Sequence, residues 1–347
     1  MVYLTERLQR RGCRVGVVCK PHCTLEDACR VRAIPCFPLA MRGELDILAG
    51  MRIARLCARH GFNILHLHTA HAATLGVWAK LVRPSLRLIA VRRVDFHIRS
   101  HPFSRWKYAV SPLDRVVCVS EAIRGVLVGD GVPSARLVTI RSGVDLDRFS
   151  STPDATTLRN QLCIPSDHVV VGTVAAMAAH KDYPTLLAAA DEAMRTEERV
   201  TFCAVGDGPQ RERVHALAHR LGLGDRFKFV GFQAEVGPYL RLLDVFVLAS
   251  RAEGLGTSVL DALAMGIPVV ASRVGGIVEV VEDGGNGLLV PPGDPHALSE
   301  ALCRIVHDTS LRERLAARAR PSVAAFDIDI TVQKNLQLYR ELLEAQT

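Results

Sequence analysis

Residues 252–272 read AEGLGTSVLDALAMGIPVVAS, a glycine-rich turn followed by two apolar runs. Ser258 and Asp261 have the spacing of a capping box, which predicts a helix from this point to about Met265. Gly266 then ends the helix, and the apolar residues behind it form a buried strand. A helix that leads into a buried strand is typical of an α/β domain.

The turn ahead of this helix is not explained by capping alone. Gly254 and Gly256 permit a tight backbone with free N–H groups at a helix N-terminus, where partial positive charge gathers. Such a turn is typical of a phosphate or diphosphate site. Glu253 is then placed to accept hydrogen bonds from sugar hydroxyls, and Asp261 to accept them from a ribose. A plain turn with a capping box remains the alternative interpretation.

Short apolar runs alternate with helical patterns along the whole chain, and its 347 residues suit two domains. Continuous apolar strands with helices between them predict parallel sheets covered on both faces. We therefore predict two doubly wound α/β domains, residues 1–152 and 153–322, with a ligand cleft at the carboxyl ends of strands. A final helix within 323–347 is predicted to pack back towards the N-terminal domain. The strand-like runs lie at 14–19, 64–68, 87–91, 115–119, 137–140, 168–172, 200–205, 227–230, 245–248, 268–270 and 287–290.

Composition narrows the class of protein. No apolar run is long enough to span a bilayer and no signal-peptide pattern opens the chain, so we expect a cytoplasmic protein. Ten cysteines without a C-x-x-C pair favour reduced structural thiols, and Cys19, His22 and Cys23 are the one cluster to check for metal. The net charge of +7 favours anionic ligands or an anionic membrane face. Without a basic and aromatic array, nucleic acid is not an expected partner.

The chain opens with MVYLTERLQRRGCRVGVVC, a helical pattern that ends at Gly12 and leads into a strand. An α/β domain normally begins with a strand, and a glycine-rich turn into this helix would be a natural ligand loop. We expect roughly 12 to 25 further residues upstream of Met1, forming a strand and such a turn. A domain that begins with a helix is the alternative.

Residues 250–272 resemble the Glu-x7-Glu segment of the retaining glycosyltransferases of family 4, whose GT-B fold has two facing Rossmann-like domains. Several motifs in family order are a stronger signal than any single glycine pattern. The further segments that resemble this family are VSEAIRGVLVGDGVPSARLVTIRSGVDLDRF (119–149), VVGTVAAMAAHKDYPTLLAAA (170–190), AVGDGPQRERV (204–214), VGFQAEVGPYLRLLDVFVLAS (230–250) and GGIVEVVEDGGNGLLVPPGD (275–294).

The resemblance implies transfer of a sugar from a nucleotide diphosphate sugar to a hydroxyl acceptor, with retention at the anomeric carbon. It implies no cofactor and no metal. Asp145 and Asp147 match the metal-binding Asp-x-Asp pattern of another glycosyltransferase fold, but they lie in a turn beside Arg148, which is available to pair with them. A glycan, lipid-linked or small hydroxyl acceptor is implied. The basic charge favours cell-envelope glycan or glycolipid synthesis with peripheral contact to an anionic membrane.

The resemblance places the donor site in the second domain. It gives Glu253 a contact with the donor sugar, Asp261 one with the ribose, and Lys181 the role of counter-charge to the diphosphate. A solvated loop lysine is the alternative for Lys181. The other donor-binding predictions are His180, the backbone of Gly254, Leu255, Gly256 and Thr257, Gly206 of the Gly-Asp-Gly turn, and Phe232 of the base-pocket region.

The chain departs from the family pattern at three positions. Asp261 replaces the second glutamate and is one methylene shorter. Thr173 stands where the family often has an arginine, which leaves His180 or another arginine to supply positive charge. Arg93 stands where the family often has a histidine.

The catalytic candidates in the first domain lie at predicted strand ends. We predict that Arg93 and Asp95 line the active site. His68 is the favoured member of a cluster with His66 and His71, although a strand-end histidine is more often structural. Together with Glu253 these residues are the predicted catalytic set.

Two rival functions remain open. A nucleotide-sugar 2-epimerase shares the two-domain shape but requires more acid and base side chains than the sequence assigns to the cleft. A non-catalytic binding protein is favoured by the absent first strand and by the residues at 93 and 173. The resemblance to family 4 implies a mechanism in which the diphosphate leaving group helps to deprotonate the acceptor, while the protein supplies electrostatics and positioning.

Overall fold

A computed structural model describes residues 1–99 and 102–344. Their contacts form two compact units, the first containing Met1–Gly143 with Ile328–Thr347 and the second containing Val144–Asp327. Residues 144–152 and 323–327 thus have their contacts in the second unit. The predicted domain limits at 152 and 322 stay predictions, and the end of the predicted final helix, 345–347, lies outside the described residues.

The first unit alternates helices and strands from its first residues. Its described strands form a parallel sheet in the order β3-β4-β5-β6 and a separate parallel pair, β1-β2. A π-helical turn, Trp106–Val110, follows α5. The elements are α1 (Val2–Arg10), β1 (Val17–Cys19), α2 (Thr24–Val31), β2 (Cys36–Pro38), α3 (Ile47–His60), β3 (Ile64–Leu67), α4 (Ala70–Val82), β4 (Arg87–Arg92), α5 (Pro102–Arg105), β5 (Arg115–Cys118), α6 (Glu121–Gly129), β6 (Leu137–Thr139) and, from the chain end, α14 (Ile328–Glu344).

The second unit is built on one parallel sheet. Its described strands have the order β12-β11-β10-β7-β8-β9, so the chain runs outward from β7 in one direction and then restarts at β10 on the other side. The elements are α7 (Thr156–Gln161), β7 (Val169–Val174), α8 (Tyr183–Thr196), β8 (Val200–Val205), α9 (Arg211–Leu221), β9 (Phe227–Gly231), α10 (Gly237–Leu242), β10 (Val245–Leu248), α11 (Thr257–Ala264), β11 (Val269–Ser272), β12 (Gly287–Val290), α12 (Pro295–His307) and α13 (Thr309–Ser322). The predicted fold class, two Rossmann-like parallel α/β units, is confirmed.

The core of the second unit explains why its strands are apolar without alternation. Every residue of β8 and of β10 is buried, because helices cover both faces of the sheet. Phe202 on β8 stacks on Phe227 on β9 with ring centroids 5.8 Å apart. Burial of each such ring contributes about 2 to 3 kcal/mol to stability.

The last helix, α14, packs within the first unit. Ile328 and Val332 of α14 are buried against Leu4 and Leu8 of α1. Arg7 Nη1 donates to Asp329 Oδ2 at 2.9 Å beside this contact. The first and last helices of the chain therefore share one small apolar core.

The start of α11 differs from the prediction. Gly256 is the N-cap residue, with φ 80°, and no side chain caps this helix. Because the left-handed glycine begins the helix at Thr257, Ser258 lies inside the first turn and cannot cap it. The predicted capping box of Ser258 and Asp261 is therefore wrong. The predicted end at Gly266, whose φ is 80°, and the buried strand behind it are confirmed.

The cysteines form no disulfide among the described residues. All ten cysteines, each within the described ranges, are free. Among the described residues, no group of three His, Cys, Asp or Glu side chains is arranged to hold a metal ion. Cys19, His22 and Cys23 therefore do not form such a group. No helix in the part of the chain that the structure describes has the length and apolar character needed to cross a membrane.

Candidate donor and acceptor sites

The strand order of the second unit reverses between β7 and β10, which makes this position a topological switch point. These two strands are parallel neighbours, with Val245 opposite Val171, and the chain leaves their carboxyl ends towards opposite sides of the sheet. Ligands in open α/β sheets bind at such a switch point. The loop after β7 carries Lys181, and the loop after β10 carries Glu253.

Lys181 and Glu253 meet at this switch point. The Lys181 Nζ forms an ion pair with Glu253 Oε1, and Ser250 Oγ donates to the same oxygen at 3.1 Å. The two charged side chains are only 14% and 11% exposed. Lys181 is thus not the solvated loop lysine of the alternative interpretation, since it is shielded and paired with a carboxylate.

A second glycine pair supports the turn between Glu253 and α11. Gly276 N donates to the Glu253 carbonyl oxygen at 3.0 Å. A Cβ at Gly276 would lie 2.3 Å from the Gly254 carbonyl oxygen, so only glycine permits this approach. Gly254, Leu255 and Gly256 are buried, while Thr257 is exposed at the start of the helix. Sequence reasoning missed Gly276, although the Gly-Gly pair in the segment after the second carboxylate was a visible signal.

Asp261 lies one turn into α11, in a largely buried position. Its Oδ2 is 3.7 Å from Arg148 Nη1. Burial raises the pKa of Asp261 to about 6, and the Arg148 charge opposes that rise. Arg148 therefore faces Asp261. Asp147 of the Asp-x-Asp pattern accepts from Arg320 Nη2 at 2.8 Å.

Two further donor-site candidates lie at the carboxyl ends of β8 and β9. Gly206 has φ 139°, and a Cβ there would lie 2.1 Å from the Ala175 carbonyl oxygen, so the loops after β7 and β8 touch through this glycine. Gly206 N donates to the Gly231 carbonyl oxygen at 2.8 Å. Phe232, directly after β9, is 74% exposed. An exposed aromatic ring at this edge presents a face on which a flat base can stack.

His180 precedes Lys181 in a 3₁₀ turn, Ala179–Lys181, and its side chain is half-buried. Its carbonyl oxygen accepts from Arg251 N at 2.8 Å. Arg251 Nε donates to Asp182 Oδ2 at 2.7 Å. Thr173, where the family often has an arginine, is buried in β7. The structure therefore places Arg251, which sequence reasoning did not single out, beside the lysine loop.

The first-unit candidates lie at the carboxyl ends of β3 and β4. These strands are parallel neighbours, so His68 and Arg93, each one residue past its strand, come together. Arg93 Nη2 lies 3.3 Å from His68 Nδ1, and Arg93 Nη1 lies 3.4 Å from Ser142 Oγ. Burial, followed by the neighbouring His66 and Arg93, lowers the pKa of His68 well below its usual value. His68 is therefore neutral at pH 7 and Nδ1 accepts from the guanidinium.

The other two histidines of the cluster have different hydrogen-bond partners, although the His66 ring lies 4.5 Å from the His68 ring. His66 Nδ1 lies 2.6 Å from Tyr339 Oη on α14, and burial lowers the pKa of His66 to about 3. His71 Nε2 lies 2.8 Å from the Gly43 carbonyl oxygen. Asp95, two residues past Arg93, is half-buried in the loop after β4. Of the three histidines, His68 is the one in contact with Arg93.

Two parallel Rossmann-like units in one chain, with a lysine–carboxylate pair at the switch point of the second, define the class of GT-B glycosyltransferases. The family described as "Glycosyltransferase Family 4" matches residues 1–148, and "Glycosyl transferases group 1" matches residues 154–321. The chain is 31% identical to the 2-deoxystreptamine N-acetyl-D-glucosaminyltransferase of Streptomyces fradiae, over 85% of this chain and 68% of that protein. The protein belongs to the family 4 glycosyltransferases.

Other relatives differ in coverage. The lipopolysaccharide core biosynthesis glycosyltransferase LpsE of Rhizobium meliloti is 37% identical, but the match spans 52% of this chain and 52% of LpsE. The chain thus matches about half the length of that relative. HepE of Anabaena, solved in complex with UDP-glucose, superposes with a TM-score of 0.87 at 22% identity, over 98% of this chain and 94% of HepE. This likeness shows the fold.

Proposed function

We propose that the protein transfers a sugar from a UDP-sugar to a hydroxyl acceptor in cell-envelope glycan synthesis, with retention at the anomeric carbon. The observation that carries the proposal is the shielded Lys181–Glu253 pair at the switch point, next to the N-terminus of α11. A ligand that joins a diphosphate to a sugar suits this pair, because the anionic diphosphate attracts the Lys181 ammonium and the sugar hydroxyls donate to the Glu253 carboxylate. We propose UDP as the nucleotide of the donor because HepE was solved in complex with UDP-glucose.

In the proposed reaction, each donor-site residue of the second unit has a chemical role. The Lys181 ammonium and the backbone N–H groups of residues 254–257 stabilise the diphosphate as it gains charge while leaving. Glu253 accepts hydrogen bonds from sugar hydroxyls, and Asp261 accepts them from the ribose. Phe232 offers a stacking face to the base. No metal is assigned a task in this scheme.

The reaction breaks the bond between the anomeric carbon and the diphosphate oxygen, and it forms a bond to the acceptor oxygen on the same face of the sugar. The acceptor proton passes to an oxygen of the leaving diphosphate. The protein contributes positioning and charge stabilisation rather than a covalent nucleophile. Glu253, held by Lys181 and Ser250, is assigned to sugar orientation.

In the first unit, His68 and Arg93 are assigned to the acceptor. Arg93 is a cation at the position where the family often has a histidine, and its side chain is exposed. A guanidinium recognises phosphate and carboxylate groups through paired hydrogen bonds. The acceptor class is therefore a glycan that carries a phosphate or carboxylate group near the accepting hydroxyl.

Peripheral contact with an anionic membrane is part of the proposal. Leu45 and Leu48 are exposed at the start of α3, and the adjoining Arg42 and Arg52 are exposed cations. Lys107 Nζ bonds to Glu44 Oε1 at 3.1 Å and lies 5.0 Å from the centre of the Phe103 ring, which adds an exposed aromatic side chain next to this loop. Apolar side chains among cations are typical of a membrane-surface contact.

The membrane contact is tested by cosedimentation with vesicles of phosphatidylglycerol or phosphatidylcholine. Leu45→Ser with Leu48→Ser should reduce binding to the anionic vesicles, while Val31→Ser, an exposed apolar residue on α2, is the control. Equal binding to both lipids, or no binding, would remove this part of the proposal.

The transfer function is tested with a panel of UDP-sugars and envelope glycan acceptors. The expected products are UDP and a glycan extended with an α- or β-linkage that matches the donor anomer, read by mass spectrometry and NMR. An epimerase would convert a UDP-sugar into its 2-epimer without an acceptor. A binding protein would retain UDP-sugar affinity without release of UDP.

A further inference from the structure

Three contacts join the loop after β7 to the loop after β10. Arg251 N donates to the His180 carbonyl oxygen at 2.8 Å, Lys181 pairs with Glu253, and Arg251 Nε donates to Asp182 Oδ2 at 2.7 Å. Three successive residues of the loop after β7 thus form hydrogen bonds or ion pairs with Arg251 and Glu253 of the loop after β10. These contacts cross the switch point directly, at the place assigned to the donor.

Asp182 has the features of a residue that is held in place by its partners. It is 3% exposed and adopts φ 46°, a left-handed conformation that non-glycine residues adopt rarely. Thr185 Oγ1 donates to Oδ2 of Asp182 at 2.7 Å, the same oxygen that Arg251 contacts. A buried carboxylate requires hydrogen bonds and a compensating cation, and Arg251 supplies the cation.

The Lys181–Glu253 contact cannot persist unchanged when the proposed donor is bound. The diphosphate attracts the Lys181 ammonium, and the sugar hydroxyls donate to the Glu253 carboxylate. Each side chain then exchanges part of its bond to the other for a bond to the ligand. The Asp182–Arg251 bridge lies beside this exchange and involves neither ligand-binding side chain.

We propose that Asp182 and Arg251 form a positioning pair that fixes the spacing of Lys181 and Glu253 once the donor has separated those two side chains. This inference rests on the proposed function. A displacement of about 1 Å at a reacting group lowers turnover on the order of 100-fold, so a bridge that holds two ligand-binding loops in register affects turnover strongly.

The test compares Arg251→Gln and Asp182→Asn with the parent enzyme. Asparagine tolerates the left-handed backbone and still accepts from the Thr185 hydroxyl, so Asp182→Asn removes the charge while keeping the local fold. Arg195→Gln is the matched control, because it removes an arginine paired with Asp191 at 2.6 Å on the exposed surface of α8. Arg251→Lys, which keeps the cation, is the conservative variant.

Each charge-removing variant is expected to lower UDP-sugar turnover about 10- to 100-fold. Uridine affinity should stay close to the parent value in both variants. Asp182→Asn should melt close to the parent, whereas Arg251→Gln should melt lower because it leaves the buried Asp182 carboxylate without its cation. Arg251→Lys should recover part of the loss in turnover, and the control should match the parent. Turnover within twofold of the parent would overturn the inference. So would equal losses in uridine affinity, melting temperature and turnover, because these indicate a purely structural pair.

Coupling to Lys181 gives a second readout. If the pair positions Lys181, then Lys181→Ala in the Arg251→Gln background should weaken UDP binding by less than Lys181→Ala in the parent. Equal effects in both backgrounds would mean that the bridge and Lys181 act independently, which contradicts the positioning role. A parent enzyme that neither binds nor turns over any UDP-sugar would instead overturn the proposed function, and the positioning role with it.

Discussion

The charged side chains at the carboxyl edges of the two sheets have different kinds of partner. At the second-unit edge, cations and carboxylates are paired across neighbouring loops, as in Lys181 with Glu253. At the first-unit edge, the Arg93 guanidinium contacts a neutral histidine and a serine hydroxyl. At the second-unit edge, where we propose that a diphosphate and a sugar bind, the protein's own charges neutralise one another. At the first-unit edge, where we propose an anionic acceptor group, Arg93 contributes a positive charge that its histidine and serine contacts do not neutralise.

The largest expected effect comes from removing the carboxylate charge at the second-unit edge. Glu253→Gln should lower turnover on the order of 100- to 1000-fold, as expected for loss of a group that orients the reacting sugar. Thermal stability should change little, because glutamine still accepts from Ser250. Initial rates and differential scanning fluorimetry measure both quantities. Equal rates in parent and variant would remove Glu253 from the site.

Removing the cation of the same pair should affect binding selectively. Lys181→Ala is expected to weaken UDP binding by about 1.5 to 3 kcal/mol, the value of a charge-assisted hydrogen bond, while leaving uridine binding nearly unchanged. Isothermal titration calorimetry with both ligands measures the difference. The same loss for UDP and uridine would contradict a contact between Lys181 and the diphosphate.

Removing the cation at the first-unit edge should weaken acceptor binding and leave donor hydrolysis unchanged. Arg93→Gln is expected to raise the acceptor KM roughly 10-fold, as for one charge-assisted contact, with little change in the rate of donor hydrolysis without acceptor. The control is Arg115→Gln, at the start of β5 and thus at the opposite end of the strands. If Arg93→Gln lowers donor hydrolysis as strongly as transfer, the separation of roles between the two edges fails.

The smallest effect is the pH dependence of donor binding through Asp261. Its pKa, raised by burial to about 6, means that the carboxylate is present above pH 6 and is protonated below it. Donor affinity should therefore fall by up to about 10-fold as pH drops from 7.5 to 5, because a pKa of about 6 leaves about one tenth of the Asp261 carboxylate ionised at pH 5. Asp261→Asn should flatten this profile. A parent profile that is flat, or that rises towards low pH, would contradict a ribose contact by the carboxylate.

The same shift has a consequence for folding. Since the pKa of Asp261 is raised above its unfolded value, the folded state holds this proton more tightly, and stability falls as pH rises from about 4 to about 6. Above that range the contribution is constant. Asp261→Asn should therefore lose this part of the stability profile while the rest is retained.

The sequence predicted the features of the fold and site that depend on local pattern. Unbroken apolar runs predicted buried parallel strands, and the resemblance to family 4 placed Lys181 and Glu253 in one donor site. The direct contact between these two side chains was not predicted. The capping box failed because the left-handed Gly256 shifted the helix start, and backbone conformation is weakly encoded in residue spacing. The Asp182–Arg251 bridge was missed because it joins residues that are distant in sequence, and charge pairing of this kind depends on strand order.

A crystal structure of the protein with UDP bound would show where the diphosphate lies and which residues contact it. The diphosphate should lie at the carboxyl ends of β7 and β10, with Lys181 Nζ and the N–H groups of residues 254–257 within about 3 Å of its oxygens. The Lys181–Glu253 contact should be loosened. The Asp182–Arg251 bridge should remain closed. UDP bound elsewhere in the second unit, or an intact Lys181–Glu253 pair that makes no contact with the diphosphate, would contradict the assignment of Lys181 and Glu253 to the donor site.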